Sequence, residues 1–254
     1  MKKLLTSLII LLLAVVFLLP AAASFLQSFW SGGSVNIKGY MELFFDCFVF
    51  YPMFWNSVLY SVVITVIQLL VIIPCAFGFI HAKFKGKGIL YVFYIMLMMM
   101  PLQVTVLPNF IGLRDLGLID SRLAVILPMI FSPFGVVVMH QYMKSIDDSI
   151  IEATRLDTSS MVRVLWTAVV PQLKVCIFAV VLFVFADCWS MIEQPMLFLK
   201  ENNLKTLTVL ISQQDKYSGA ILSATAVIFM VPILLLYVFF NENLEKGLTL
   251  KDLS

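Results

Sequence analysis

From Trp55 to Ile80 the chain runs for twenty-six residues without a formal charge. A helix needs about 20 apolar residues to cross the hydrocarbon of a bilayer, and this run exceeds that. Five further apolar stretches share the character: Leu4 to Leu19 reaching on toward Leu26, Ile89 to Leu107, Leu123 to Met139, Val175 to Leu199, and Gly219 to Phe240. Charged residues make up 13% of the chain and mean hydropathy is +1.01, whereas soluble domains carry about 25% charged residues. The sequence therefore predicts an all-α membrane protein with six transmembrane helices in a lipid bilayer. A net charge of +2, with no basic cluster interleaved with aromatics, gives no footprint for nucleic acid. Cys47, Cys75, Cys176 and Cys188 have neither paired nor metal-type spacing and read as membrane thiols.

The first stretch follows Met1-Lys2-Lys3 and ends near Pro20-Ala-Ala-Ala-Ser24, so it reads either as a secretory leader or as a retained first span. Retention is the expectation taken forward, with 1–26 as the first transmembrane helix and 27–54 as a polar extracytoplasmic segment. Six spans put both termini on one face. With the termini cytoplasmic, Lys2, Lys3, Lys83, Lys85, Lys87, Lys144, Arg155, Arg163, Lys174, Lys246 and Lys251 all lie inside, 11 of the 17 basic residues. That agrees with the positive-inside bias.

Between the fourth and fifth spans lies the longest polar-bearing segment, 145–174. Asp147, Asp148 and Glu152 sit where carboxylates oppose the positive end of a helix dipole. Thr158-Ser159-Ser160 reads as a break and a fresh N-cap. A second short helix, Met161 to Val169, is expected to end before Pro171. Two short helices joined by a polar elbow make a docking knuckle that calls for a soluble partner.

Glu152-Ala153-Thr154-Arg155-Leu156-Asp157, followed by Pro171, resembles the EAA loop of permease subunits from ATP-binding-cassette importers. The family pattern has glycine where Thr158 stands, alanine at Ser159, isoleucine at Ala168 and leucine at Val170. Because glycine permits a positive φ that threonine resists, an elbow of different shape is expected. Met98-Met-Met-Pro101 with Gln103-Val-Thr105, Pro108, Leu116-Gly-Leu118 and Leu127-Pro128 is similar to the third and fourth helices of carbohydrate-type permeases. Trp189 with Pro195 follows a family pattern in which Ser190 replaces an asparagine and Gln194 a tryptophan, and Thr206-Leu-Thr-Val209 and Gly247-Leu-Thr249 also fit. The likeness spans about residues 50 to 250 and is to the smaller permease of maltose-type importers. It implies a type I importer core over 55–254 in a bacterial cell membrane. It also implies a second homologous permease, a cytoplasmic ATPase dimer gripping Glu152, Ala153, Arg155, Asp157, Thr158 and Pro171, and an extracytoplasmic solute-binding protein.

The sequence holds no catalytic constellation. Lys85-Gly86-Lys87-Gly88 lacks phosphate-loop spacing, so ATP hydrolysis belongs to another polypeptide, and neither cofactor nor metal is expected. The four-methionine cluster from Met96 to Met100 reads as flexible helix packing in preference to a soft-metal path. Polar residues inside spans are costly and mark a pathway or a helix contact. Gln103, Trp189, Glu193 and Gln194 supply the hydrogen-bonding and aromatic groups that sugars need, with helix packing as the alternative reading. Asn56, Gln68 and Asp187 are expected to pack or gate, and Asp187 and Glu193, six residues apart, are not expected to share a site. The function so read is one half of a translocation path for an oligosaccharide or sugar derivative. The alternatives are a self-sufficient carrier or channel using Asp187 and Glu193, or the same importer type with peptide, polyamine or amino-acid cargo.

Overall fold

The structure, a computed structural model, describes residues 2–31 and 33–251. The expectations resting on Met1 and on 252–254 lie outside the described residues, as do the side chains of the closing Gly247-Leu-Thr249 motif. Fourteen α-helical segments are described, with two π turns, one 3-10 turn and a single small hairpin, Trp30–Ser31 (β1) against Ser34–Val35 (β2). Four helices, or helix pairs read together, are long and apolar enough to cross a membrane, and six result if each sharply bent pair counts as one span.

Helix α1 (Lys2–Ser28) runs through Pro20 and lies along α14 (Gly219–Lys251). Most of its side chains face outward, as lipid contact requires: Leu8 and Leu11 are both more than 60% exposed. Its last residue, Ser28, is buried, with its hydroxyl donating to Phe25 O at 2.6 Å and bonded to the Tyr40 hydroxyl at 2.9 Å. Tyr40 belongs to α2 (Lys38–Met41), which winds on as a π turn through Asp46.

Helix α3 (Phe50–His81) is the central post. It starts five residues before the expected Trp55, because Pro52 falls in its first turn, where a missing N–H costs nothing. The main core gathers Tyr60, Ile64, Ile72 and Ala76 of this helix against α7 (Pro133–Met143) and α11 (Lys174–Ser190). At the α3–α7 crossing an added Cβ on Gly135 would come within 3.1 Å of Ile72 Cγ1, so this position holds the two helices close.

Three expected spans are broken. The third, expected as one helix from Ile89 to Leu107, is α4 (Lys87–Met98) and α5 (Leu102–Asp115), turning sharply at Met99–Pro101. Pro101 is extended at φ −65°, ψ 145°, and the residue before a proline is driven out of helical geometry. The fourth is α6 (Arg122–Met129) and α7, parted at Ile130–Ser132, where Ser132 caps Gly135 N at 3.3 Å ahead of Pro133. The fifth does not continue to Leu199: α11 stops at Ser190, Met191 is extended, and α12 (Glu193–Phe198) restarts the helix. The restart puts Pro195 in a first turn, where no donor is missed. Thr206 and Thr208 hydroxyls cap the freed Met191 carbonyl at 3.3 and 2.6 Å.

The connection between Lys200 and Ser218 is not wholly a surface loop. Its centre, α13 (Leu207–Ser212), is buried between α3 and α14, with Leu207 N donating to Ser57 Oγ at 2.8 Å. Asn56 Nδ2 donates to the carbonyls of Asn203 (2.5 Å) and Lys205 (3.3 Å), the packing role expected for it.

Candidate functional site: a docking knuckle and two polar clefts

The knuckle is α8 (Asp148–Asp157) followed by a helical stretch from Met161 to Gln172. Asp147 caps α8 by accepting from Ser149 N at 2.9 Å, and that bond holds its carboxyl below the usual carboxylate range. Ser160 caps the second stretch, accepting from Arg163 N at 3.4 Å, in the place the sequence marked for a fresh N-cap. The elbow departs from the expected difficulty. Thr158 lies at φ −151°, ψ 137°, an extended backbone that suits a β-branched residue. Its hydroxyl accepts from Ser160 N at 3.3 Å. No positive φ is asked of this position, so threonine strains nothing.

The second helical stretch does not stop before Pro171. Residues Leu165–Val169 form a π turn, and the helix resumes as Val170–Gln172. A proline ring crowds the carbonyl four residues back; the wider π turn moves that carbonyl aside, so Pro171 is accommodated. At Leu173 the chain then bends by 84° into α11.

One side chain of α8 is buried: Ile151, 6% exposed, packs in the main core with Val164, Leu165 and Val169. Glu152, Ala153, Arg155 and Asp157 all face outward, as does Pro171. Beside them Leu156 is 89% exposed and Val162 66%. The knuckle thus presents mixed charge around bare apolar side chains at one end of the bundle.

Toward the middle, the broken spans open a cavity of about 610 Å³. Each break contributes: Thr105 and Asn109 from α5, Ser132 from the α6–α7 gap, Asp187 near the end of α11 and Gln194 at the start of α12. Gln68 of α3 is buried behind it and donates through Nε2 to the Met129 carbonyl, while its Oε1 has no partner. Gln194 Nε2 lies 3.3 Å from Met129 Sδ. Met98 and Met100 border this cavity, which differs from the purely packing role expected of the methionine run.

A second, shallower cleft of about 420 Å³ lies between α5 and α12. There Gln103 Nε2 donates to Glu193 Oε1 at 3.2 Å across ninety residues of sequence. The structure therefore brings Gln103 and Glu193 together and places Gln194 in the larger cavity beside Asp187. Asp187 and Glu193 line different clefts, in keeping with their sequence spacing. Trp189 stands apart. It is fully buried, its indole N–H donates to Phe229 O at 2.9 Å, and it is stacked between Phe185 and Phe229, so within this chain it packs α11 on α14 and offers no surface to a solute. Sequence reasoning passed over Asn109 and Ser132; the Phe131-Ser-Pro-Phe134 interruption, a capping serine before a proline, was the available signal.

At the far end of α3 from the knuckle, Asp120 joins two connections. Its carboxylate accepts from Lys200 N (2.8 Å) and Glu201 N (3.1 Å), and its own N–H donates to Phe198 O at 2.9 Å. These bonds hold the residue at φ +62° and depress its carboxyl below the usual range, Glu201 N–H contributing most.

A bundle of interrupted membrane helices, with polar clefts at the interruptions and an exposed two-helix knuckle at one end, is the architecture of a transport permease. Residues 68–250 match the family model described as binding-protein-dependent transport system inner membrane component, and the chain belongs to that family. Among curated relatives, the arabinooligosaccharides transport system permease protein AraQ is 26% identical over 221 residues in Halalkalibacterium halodurans and 27% over 218 in Bacillus subtilis; each alignment covers 85% of this chain and 78% of the relative. The lactose transport system permease protein LacG of Rhizobium radiobacter is 26% identical, covering 77% of this chain and 72% of its own length. The same fold occurs in a crystal structure of a bacterial ABC transporter involved in import of the acidic polysaccharide alginate, at a TM-score of 0.85, 20% identity and 95% coverage of both chains. The chain is thus a membrane-embedded permease subunit of an ATP-binding-cassette importer; hydrolysis of ATP is the work of a separate subunit.

Proposed function

We propose that this chain forms half of the translocation path for a carbohydrate. It pairs with a second, homologous permease, receives cargo from an extracytoplasmic binding protein, and is driven by an ATPase dimer seated on the knuckle. The observation that carries this reading is the knuckle itself: Glu152, Ala153, Arg155, Leu156 and Asp157 face out around a helix whose one buried side chain is Ile151. Such a surface has no intramolecular use. The positive-inside bias supports a cytoplasmic knuckle and cytoplasmic termini. The sugar assignment is supported by the relatives named for arabinooligosaccharides and lactose, and by amide and hydroxyl groups in the cavity. Moving a two-state path from mostly closed to mostly open takes about 5 kcal/mol of differential stabilisation, a magnitude suited to an ATP-driven partner.

The test is co-expression with the ATPase and the second permease, comparing wild type with a double variant, Glu152→Ala plus Asp157→Ala. The expected result is loss of ATPase retention or of transport-linked hydrolysis in the variant, with the permease pair intact. A chain that purifies alone, moves solute in liposomes without ATP and ignores both substitutions refutes the reading.

A further inference from the structure

Charge decides what both clefts can accept. The larger cavity is lined by Gln68, Asn109, Ser132, Gln194 and one charged group, Asp187; the smaller carries Glu193. Neither is lined by lysine, arginine or histidine, and among the described residues no cation pairs with Asp187 or Glu193. Asp187 is exposed to the cavity, and the buried Gln68 at its back keeps an acceptor oxygen unpartnered. At about 610 Å³ the cavity falls within the ~300–1,000 Å³ typical of small-molecule sites. Carboxylates without a cationic partner, set beside low-dielectric walls, repel anions more strongly than they would in bulk solvent.

We infer that Asp187 is a specificity-determining residue that admits neutral or amine-bearing saccharides and rejects acidic ones such as phosphorylated or uronate sugars. This rests on the carbohydrate-importer reading and sharpens it. It also separates this chain from the similar permease named for sn-glycerol-3-phosphate and from the alginate transporter whose fold it shares. The Asp187 carboxylate and the amide oxygens of Asn109 and Gln194 suit the hydroxyl and ammonium donors of such a cargo, and among the described residues lining the two clefts none carries the positive charge that would hold a phosphate or a carboxylate.

The test has two arms. In the first, the full chain carries Asn109→Cys as a reporter in the cavity, with the partly buried Cys75 replaced by alanine, and is co-expressed with its second permease. The ratio of labelling rates for a cationic trimethylammonium and an anionic sulfonate methanethiosulfonate is measured in opened membranes. Asp187→Asn is expected to lower the cation-to-anion ratio about fivefold, and Asp187→Glu to restore it. In the second arm, the complete importer is offered cellobiose, the glucosamine disaccharide and digalacturonate. Wild type is expected to take up the first two and to exclude the third at least about tenfold, with Asp187→Asn narrowing that gap. An unchanged labelling ratio across the three variants, or equal uptake of cellobiose and digalacturonate by wild type, overturns the inference. A ratio that moves as expected while no disaccharide is transported leaves charge selection standing and defeats the carbohydrate assignment instead.

Discussion

Truncating Ile151 to alanine separates the knuckle's attachment from its docking surface. Helix α8 has ten residues, and Ile151 is its one buried side chain. Isolated helices below about 12–15 residues are marginal in water, so the helical state of α8 depends chiefly on that anchor in the main core, with Ile150 and Thr154 only half-buried beside it. Large-to-small substitution of a buried isoleucine costs about 2–5 kcal/mol. A loss of about 3 kcal/mol corresponds to roughly a hundredfold shift toward the undocked helix, since about 1.4 kcal/mol is tenfold. Hydrogen–deuterium exchange of the membrane-embedded chain reads this directly. The amides of 152–158 are expected to lose about two orders of magnitude of protection in Ile151→Ala, while those of α3 keep theirs. Leu156→Ala is the matched control, because Leu156 is 89% exposed and surface truncations stay within about 0.5 kcal/mol. It is expected to leave exchange untouched and to weaken ATPase retention. If Ile151→Ala leaves exchange unchanged, or Leu156→Ala raises it equally, then α8 is held by something other than its core contact.

Two further outcomes follow from the geometry. Because backbone donors depress the Asp120 carboxyl, its stabilising contribution is fully present above the ordinary carboxylate value of about 3.9 and fades as pH falls through the lower folded value. The melting-temperature gap between wild type and Asp120→Ala is therefore expected to be constant from about pH 5 to 8 and to close below about pH 4; a gap that widens on acidification contradicts the clamp. Trp189→Phe removes the donor to Phe229 O and is expected to cost about 1–3 kcal/mol of stability by thermal unfolding, with no change in the ranking of transported sugars. A change in that ranking returns Trp189 to the pathway.

The spans were legible because hydrocarbon leaves little choice: uncharged runs such as Trp55–Ile80 have to become helices. The knuckle's caps were legible for an equally local reason, since Asp147 and Ser160 act within three residues of their own position. The breaks were only half visible. Hydropathy stays high across Met99–Pro101 and Ile130–Ser132, and the cost of interrupting a helix there is met by partners distant in sequence, as when Thr206 and Thr208 cap Met191. Trp189 misled for a related reason. Its composition suits a sugar face, and its burial depends on Phe229, forty residues on. The pairing of Gln103 with Glu193 and the separation of Gln194 from both follow from the restart at Ile192, which no spacing rule on an unbroken helix anticipates.

The 84° bend at Leu173 gives the bundle a crank. The knuckle is the short arm and α11 the long one, seventeen residues or roughly 25 Å at about 1.5 Å per residue. Asp187 lies thirteen residues along that arm, about 20 Å from the pivot. A tilt of about 10° at the bend sweeps the carboxylate through roughly 3 Å, the width of one hydrogen bond. On the proposed reading of Asp187, small rotations at the surface thereby become the difference between touching a hydroxyl group of the cargo and releasing it.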